Sequence, residues 1–178
     1  EWLSISATLK FKLPILGGQN SIQLDPLFDA LKLAKSGDEA EIIEGKIWDL
    51  WSISGDEEID CLMAVGVQAM LVRDGDTALA AFDEIIKRAP GFAEGWNKRA
   101  TVYYILGQFD KSMIDINKTL LLEPRHFGAM DGMGLIFIQL QQYDKAMKIY
   151  DQMLEIFPHS VDTLAKKKLM QEYITQSI

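Results

Sequence analysis

The feature that most constrains the fold is a repetition with a period of 34 residues. Pro90, Pro124 and Pro158 are separated by this interval twice in succession, and residues 59–92, 93–126 and 127–160 align as three rows without a gap. Periods of roughly 20–50 residues are typical of solenoids and propellers, in which each unit buries its apolar face against its neighbours. The repetition therefore predicts a chain of stacked units rather than a single compact core.

The columns of these rows indicate that each unit is a pair of helices. Apolar residues recur at positions 4, 7, 8 and 11 of a row and again at positions 20, 24, 27 and 28, which gives two helical stripes. Aspartate at position 18 (Asp76, Asp110 and Asp144) suits the start of the second helix, and the proline at position 32 ends it. Small residues stand where the two backbones are expected to approach closely. They are Gly66, Ala100 and Gly134 at position 8, and Ala78, Ser112 and Ala146 at position 20.

The rows resemble the tetratricopeptide repeat (TPR) family. The middle row departs from the family pattern at Arg99, where leucine is preferred, and at Ser112, where alanine is preferred, and the first row has Arg73 in place of the usual turn glycine. The resemblance implies an all-α fold, a right-handed TPR superhelix (α-solenoid) whose concave side is lined chiefly by the first helix of each repeat. The matching residues of the middle row are Trp96, Ala100, Tyr103, Gly107, Asp110, Ile116 and Pro124.

The pattern divides the chain into six segments. Residues 1–24 are predicted to form an extended arm, and residues 25–58 a degenerate helical hairpin with Asp25 as the N-cap of its first helix. We expect Trp48 and Trp51 of this hairpin to pack against the first full repeat, with Trp51 the more exposed of the two. Residues 59–92, 93–126 and 127–160 form TPR 1 to 3, and residues 161–178 form a C-terminal capping helix that begins after Ser160.

Composition and charge exclude several classes of function. The chain has 18 basic and 26 acidic residues, so its formal net charge of −8 disfavours binding to nucleic acid or to an anionic membrane surface. No apolar run approaches the roughly 20 residues that span a bilayer, so we expect no membrane insertion. The chain begins at Glu1 rather than at methionine. We take this to favour a mitochondrial or bacterial periplasmic location over a cytoplasmic one.

The residues with chemical potential do not form a catalytic or metal-binding pattern. Cys61 is the only cysteine and is expected to be a half-buried thiol, and His126 and His159 fall in turns between repeats, where we expect exposed side chains. The acidic run from Asp56 to Glu58 is expected to start a helix. No serine–histidine–acid set, phosphate-binding loop or metal-ligand spacing is present. The sequence predicts a protein without enzymatic activity, metal or cofactor.

The resemblance also implies a binding surface, because TPR proteins usually bind through first-helix positions 2, 5, 9, 12 and 13. Chaperone-tail receptors of the family hold acidic C-terminal peptides with a carboxylate clamp, but only Lys98 is basic among the matching places, so an acidic chaperone tail is disfavoured. We expect an apolar or mixed basic–apolar partner segment whose basic residues meet Asp60, Glu94 and Asp131. The remaining clamp places hold Met63, Val67, Gly128 and Gly132. The predicted groove consists of Met63, Val67, Met70, Leu71, Asn97, Thr101, Tyr104, Ile105, Gly128, Asp131, Leu135 and Ile138.

The glycines of the stretch "EPRHFGAMDGMG" raise a separate question. Their spacing does not match a nucleotide-binding loop, and Gly134 belongs to the small-residue column. Gly128 and Gly132 have no such packing reason, and an interior glycine costs a helix roughly 1 kcal/mol relative to alanine. We therefore expect these two glycines to thin the helix so that a partner backbone can approach it.

Two functions remain open at this point. The first is a non-catalytic protein–protein interaction adaptor that binds a partner peptide or helix in the concave groove. The alternative is a permanent structural subunit of a larger complex, for example a mitochondrial or bacterial envelope complex, in which the arm and the Trp48/Trp51 face are buried against neighbours.

Overall fold

The computed structural model describes residues 17–176, so the predicted arm lies largely outside the described residues. Within that part of the chain, all regular structure is helical, which confirms the all-α prediction. A short 3₁₀ turn, Gly18–Asn20, precedes the first α-helix. The α-helices of this part are α1 Leu24–Leu33, α2 Gly37–Trp51, α3 Glu57–Leu71, α4 Gly75–Arg88, α5 Ala93–Ile105, α6 Phe109–Leu122, α7 Phe127–Gln139, α8 Tyr143–Ile156 and α9 Val161–Gln176.

Helices α3 to α8 form three hairpins that stack into the predicted TPR superhelix. Each pair packs internally, α3 with α4, α5 with α6 and α7 with α8, and α4, α6 and α8 each contact the helix that follows. Asp76, Asp110 and Asp144 lie in the first turns of α4, α6 and α8, where a carboxylate stabilises the positive end of the helix dipole. The side-chain cap of α4 is Asp74, which accepts a hydrogen bond from the Thr77 backbone N–H at 3.0 Å.

The small-residue columns lie where the two helices of a repeat touch. A Cβ atom on Gly66 would lie under 3.0 Å from the Phe82 ring, and one on Gly134 would lie under 3.0 Å from the Tyr150 ring. In the middle repeat, the Ser112 hydroxyl donates a hydrogen bond of 2.8 Å to the Ala100 carbonyl oxygen. Serine is therefore accommodated at this close contact because its buried hydroxyl has a partner.

The turn between the two helices of a repeat requires a left-handed residue. Gly107 has φ 70° in the second repeat, while Arg73 and Gln141 have φ 61° and 56° in the first and third. Glycine adopts this conformation freely, whereas arginine and glutamine adopt it at a cost. Arg73 thus takes the same backbone conformation as the glycine that it replaces.

Residues 17–51, which we call the N-terminal strap, run along the edge of the superhelix where successive repeats are connected. The side chain of Gln19 accepts a hydrogen bond from the Ala93 N–H at 3.2 Å, beside the first of these turns. Asp25 pairs with Arg125 in the second turn at 2.7 Å. A Cβ atom on Gly37 would lie 3.0 Å from Val161, next to the third turn. The strap therefore contacts the connections after all three repeats.

Three expectations for the strap are wrong in detail. Helix α1 begins at Leu24, so Asp25 is not its N-cap but lies in its first turn, where it is available to Arg125. Trp48 and Trp51 pack against Phe127 of the third repeat, at ring-centroid distances of 5.4 and 4.8 Å, rather than against the first repeat. Trp51 is the more buried of the two, with 1% of its surface exposed, whereas Trp48 is half-buried.

The last helix packs on the third repeat. Helix α9 contacts α8, and Met170 is buried at this contact. The Ser160 hydroxyl accepts a hydrogen bond of 3.3 Å from the Thr163 N–H at the start of the helix. Lys167 forms an ion pair with Asp151 of α8. The predicted capping segment therefore lies against the face of α8 that a further repeat would cover.

Candidate functional site

A cavity of about 150 Å³ lies between α5, α6 and α7, and we call it the central cavity. It lies where the first helices of the second and third repeats face each other. Six residues of the predicted groove line it, so the structure brings these side chains together. They are Asn97, Thr101, Tyr104, Gly128, Asp131 and Leu135.

The other residues of the predicted groove lie elsewhere. Met63 is buried in the core of the first repeat, and Val67 packs partly buried against the same core. Met70 and Ile105 line a separate apolar cavity of about 400 Å³ near the ends of α3 and α5. Leu71 is exposed at the end of α3, and Ile138 packs partly buried against the core cluster that contains Trp51 and Phe127. The first repeat therefore contributes little to the central cavity.

A larger cleft, about 580 Å³ in volume, opens between α2, α7 and the start of α9. We call it the acidic cleft. It shares Gly128 and Asp131 with the central cavity, so the two are adjacent along α7. Apolar side chains on its lining are Trp48, Phe127, Met153 and Phe157, and carboxylates on its lining are Glu41, Glu44, Asp131 and Asp162. The sequence did not reveal this cleft, because one of its walls is α2 of the strap.

The carboxylates of the acidic cleft are only partly neutralised. Lys166 pairs with Asp131 at 2.7 Å and with Asp162 at 2.5 Å. The Trp48 indole N–H donates to Glu44 at 3.2 Å. Burial raises the pKa of Glu44, this hydrogen bond lowers it, and the nearby charges of Glu41 and Asp162 raise it further, so the net shift is upward.

His126 is buried and not exposed as expected. Its Nδ1 accepts a hydrogen bond from the Ala129 N–H at 3.1 Å, so the ring proton is on Nε2, which donates to Glu94 at 2.9 Å. The ring stacks on Trp51 of the strap with a centroid distance of 4.0 Å and an interplanar angle of 9°. His159 is half-buried and lines the acidic cleft. Contact with the strap therefore buries His126, although this histidine lies in a turn between repeats.

Glu94 is the buried carboxylate of this network. Its other oxygen lies 3.0 Å from Lys98 Nζ. Burial by itself raises the pKa of Glu94, but the hydrogen bond from His126 and the charge of Lys98 outweigh it, so the pKa is lowered. Glu94 thus already pairs with residues of its own chain. Asp60 does so as well, since it accepts hydrogen bonds from the Ser54 hydroxyl at 2.6 Å and the Ser54 N–H at 2.7 Å.

The expected pairing of a partner's basic residues with Asp60, Glu94 and Asp131 is therefore corrected. Of the three, Asp131 lines both the central cavity and the acidic cleft, whereas Glu94 and Asp60 are engaged within the chain. Cys61 also differs from expectation, because its thiol is exposed rather than half-buried.

Within residues 17–176, no group of three or more histidine, cysteine or acidic side chains could hold a metal ion. Each helix of this range is too short or too polar to cross a bilayer.

Gly128 has a packing reason inside the chain. A Cβ atom at this position would lie under 3.0 Å from the Trp48 ring, so the close approach expected of a partner backbone is made by the strap. At Gly132, a Cβ atom would lie 3.3 Å from Ile116. These contacts revise the explanation for both glycines, although both still line the central cavity.

The Gly128→Ala variant is expected to lower the free energy of unfolding by about 1–3 kcal/mol, because the new methyl group displaces the Trp48 ring. The matched control is Gly45→Ala in α2, where a Cβ atom meets nothing within 4 Å. The control should raise the free energy of unfolding by up to about 1 kcal/mol, since alanine favours the helix. Urea denaturation followed by circular dichroism measures both. Equal effects of the two substitutions would contradict the Trp48 contact.

Comparisons with known proteins agree with the repeat pattern. Tetratricopeptide repeat models match residues 93–126 and 129–160. A TPR repeat-containing protein of Rhizobium etli is 36% identical over 151 residues, which cover 82% of this chain and 74% of that protein. Hsp70-Hsp90 organizing protein 3 of Arabidopsis thaliana is 28% identical over 100 residues, which cover 56% of this chain and 18% of that protein. A solved structure, the first TPR of Spaghetti (RPAP3) bound to the HSP90 peptide SRMEEVD, superimposes with a TM-score of 0.62 at 20% identity, covering 66% of this chain and 95% of that chain.

Proposed function

Because this chain belongs to the tetratricopeptide repeat family, we propose that it is a non-catalytic adaptor that binds a segment of a partner protein on its concave side. The observation that carries the proposal is the central cavity, where side chains of α5 and α7 from two repeats converge. Its lining combines apolar and aromatic surface with a few polar groups, a composition typical of binding sites. Fold alone says little about a partner, so the proposal depends on this site.

The chemistry of the site favours an apolar or mixed basic–apolar segment. The RPAP3 domain was solved with an acidic HSP90 peptide. In this chain Lys98 is the basic residue at the clamp places, and it already pairs with Glu94 at 3.0 Å and lies 5.6 Å from the centroid of the Trp48 ring. The carboxylate that lines the central cavity is Asp131. An acidic tail would therefore meet Asp131, which is paired with Lys166, rather than a clamp of free basic side chains.

The second candidate is a permanent subunit of a larger complex. It is favoured by exposed apolar residues at the turns inside the repeats, since a protein partner could cover such residues. A permanent subunit would co-purify with its neighbours in fixed ratio at every salt concentration, whereas an adaptor would lose its partner on dilution. The turn residues concerned are Leu71, Val72, Ile105, Leu106 and Leu140.

The Thr101→Tyr variant tests the groove. Thr101 is half-buried on the lining of the central cavity, so a tyrosine there fills space that a partner segment would need. We expect quantitative mass spectrometry of affinity-purified protein to recover about tenfold less partner with this variant, which corresponds to about 1.4 kcal/mol. The matched control is Ile114→Tyr on α6, where the side chain is exposed outside both cavities. Undiminished recovery with a folded Thr101→Tyr protein would contradict the proposal.

A further inference from the structure

We propose that the acidic cleft receives a lysine or arginine side chain of the partner segment that lies in the central cavity. This inference rests on the proposed function and names the residues that select the partner. The cleft continues from the central cavity through Gly128 and Asp131, so a segment bound along α7 reaches both. Its walls come from α2, α7 and the start of α9, which are far apart in sequence.

The cleft has the two surfaces that a long cationic side chain requires. Its apolar residues, among them Trp48 and Phe157, can cover the aliphatic part of lysine or arginine. The carboxylates Glu41 and Glu44 then meet the charged end. At about 580 Å³, the cleft has room for such a side chain together with part of the backbone that carries it.

The charges of the cleft are complementary to a cation. Four carboxylates line it, and Lys166 pairs with two of them, Asp131 and Asp162. No lysine or arginine among residues 17–176 pairs with Glu41 or Glu44. Burial above all, and also the charges of Glu41 and Asp162, raise the pKa of Glu44, whereas the hydrogen bond from Trp48 lowers it. A cationic side chain would relieve the repulsion on binding.

A free metal ion does not fit the same residues. Their carboxylates are not among any group of ligands in residues 17–176 that could hold a metal ion. A basic side chain needs one or two carboxylates at hydrogen-bond distance and an apolar path to them, which the cleft offers. The geometry therefore favours a basic side chain of a polypeptide.

The test is selection from a phage-displayed library of random dodecapeptides on the wild-type protein and on the double variant Glu41→Gln, Glu44→Gln. We expect wild-type selection to enrich peptides that share apolar residues and one lysine or arginine at a fixed position. Selection on the double variant should keep the apolar residues and lose the basic one. The affinity of a selected peptide, measured by fluorescence anisotropy, should fall about tenfold on the variant, and about equally when its lysine is replaced by norleucine. The two changes together should cost little more than either alone.

The matched control is Glu155→Gln, Glu172→Gln, which removes the same charge from exposed positions outside the cleft. It should leave both the selected sequences and the affinity unchanged. Suppose that the selected peptides fail to bind the Thr101→Tyr variant. The inference alone is then overturned if they share no basic residue, or if selection on the cleft variant still yields that basic residue. If the wild-type protein enriches no peptide, or if the peptides bind Thr101→Tyr undiminished, the proposed function falls and the inference falls with it.

Discussion

Replacing Arg99 by leucine is expected to lower the free energy of unfolding by about 3–5 kcal/mol, although leucine is the residue that the TPR pattern prefers there. Arg99 holds Asp115 through two hydrogen bonds, from Nε at 2.7 Å and from Nη2 at 2.8 Å, and Nη1 pairs with Asp83 at 2.7 Å. Asp115 is 1% exposed. The leucine variant therefore leaves a carboxylate buried without its cation, and this cost exceeds the gain from burying the leucine.

The electrostatics of this pair support a large effect. The hydrogen bonds to Asp115 raise the pKa of Arg99 more than burial lowers it, so the guanidinium stays charged. The guanidinium carbon Cζ of Arg99 also lies 5.1 Å from the centroid of the Trp96 ring and 5.7 Å from that of the Tyr103 ring. The arginine is thus fixed by two carboxylates and two rings.

Urea denaturation measures the effect, and two variants serve as controls. The double variant Arg99→Leu, Asp115→Leu removes both charges and should recover most of the lost stability, since a buried ion pair can be replaced by apolar residues at little cost. Arg88→Leu breaks exposed pairs with Glu84 and Glu58 and should cost less than about 1 kcal/mol. A single Arg99 variant as stable as the wild-type protein would show that Asp115 finds another partner.

The arrangement of the repeats could be predicted from the sequence because it depends on local spacing. The spacing of small and bulky residues within a row brings Gly66 against the Phe82 ring and Gly134 against the Tyr150 ring. Each of these contacts is made within one repeat. The departures from the family pattern were visible too. Arg99 and Ser112 depart from the pattern, and the structure shows their partners, Asp115 and the Ala100 carbonyl group.

The position of the strap could not be predicted, because its contacts join residues far apart in the chain. An apolar stripe on α2 indicates that the helix packs on something, but it does not identify the surface. Gly128 was a signal for a close approach, and the sequence could not distinguish a partner backbone from Trp48 of the same chain. The burial of His126 follows from the same placement, since Trp51 covers its ring. The acidic cleft was missed for this reason as well.

Replacing His126 by leucine is expected to lower the free energy of unfolding by about 3 kcal/mol. The substitution removes the donor to Glu94, which is buried, and the acceptor for the Ala129 N–H at the start of α7. It also removes the ring that stacks on Trp51, so the strap loses a contact with the third repeat. Lys98 remains beside Glu94, which limits the loss.

The effect of this variant should be concentrated at the strap, and that distinguishes it from a general loss of stability. Limited proteolysis should cut within residues 17–51 sooner than in the wild-type protein, and tryptophan fluorescence should shift to longer wavelength as Trp48 and Trp51 become hydrated. The double variant His126→Leu, Glu94→Leu should recover part of the stability, because no carboxylate then remains buried without its donor. Because His126 joins Glu94 of the second repeat to Trp51 of the strap, its removal tests whether the strap and the repeats unfold as one unit. Unchanged proteolysis together with lower stability would mean that the other strap contacts, such as Trp48 with Phe127 and Asp25 with Arg125, suffice to hold it.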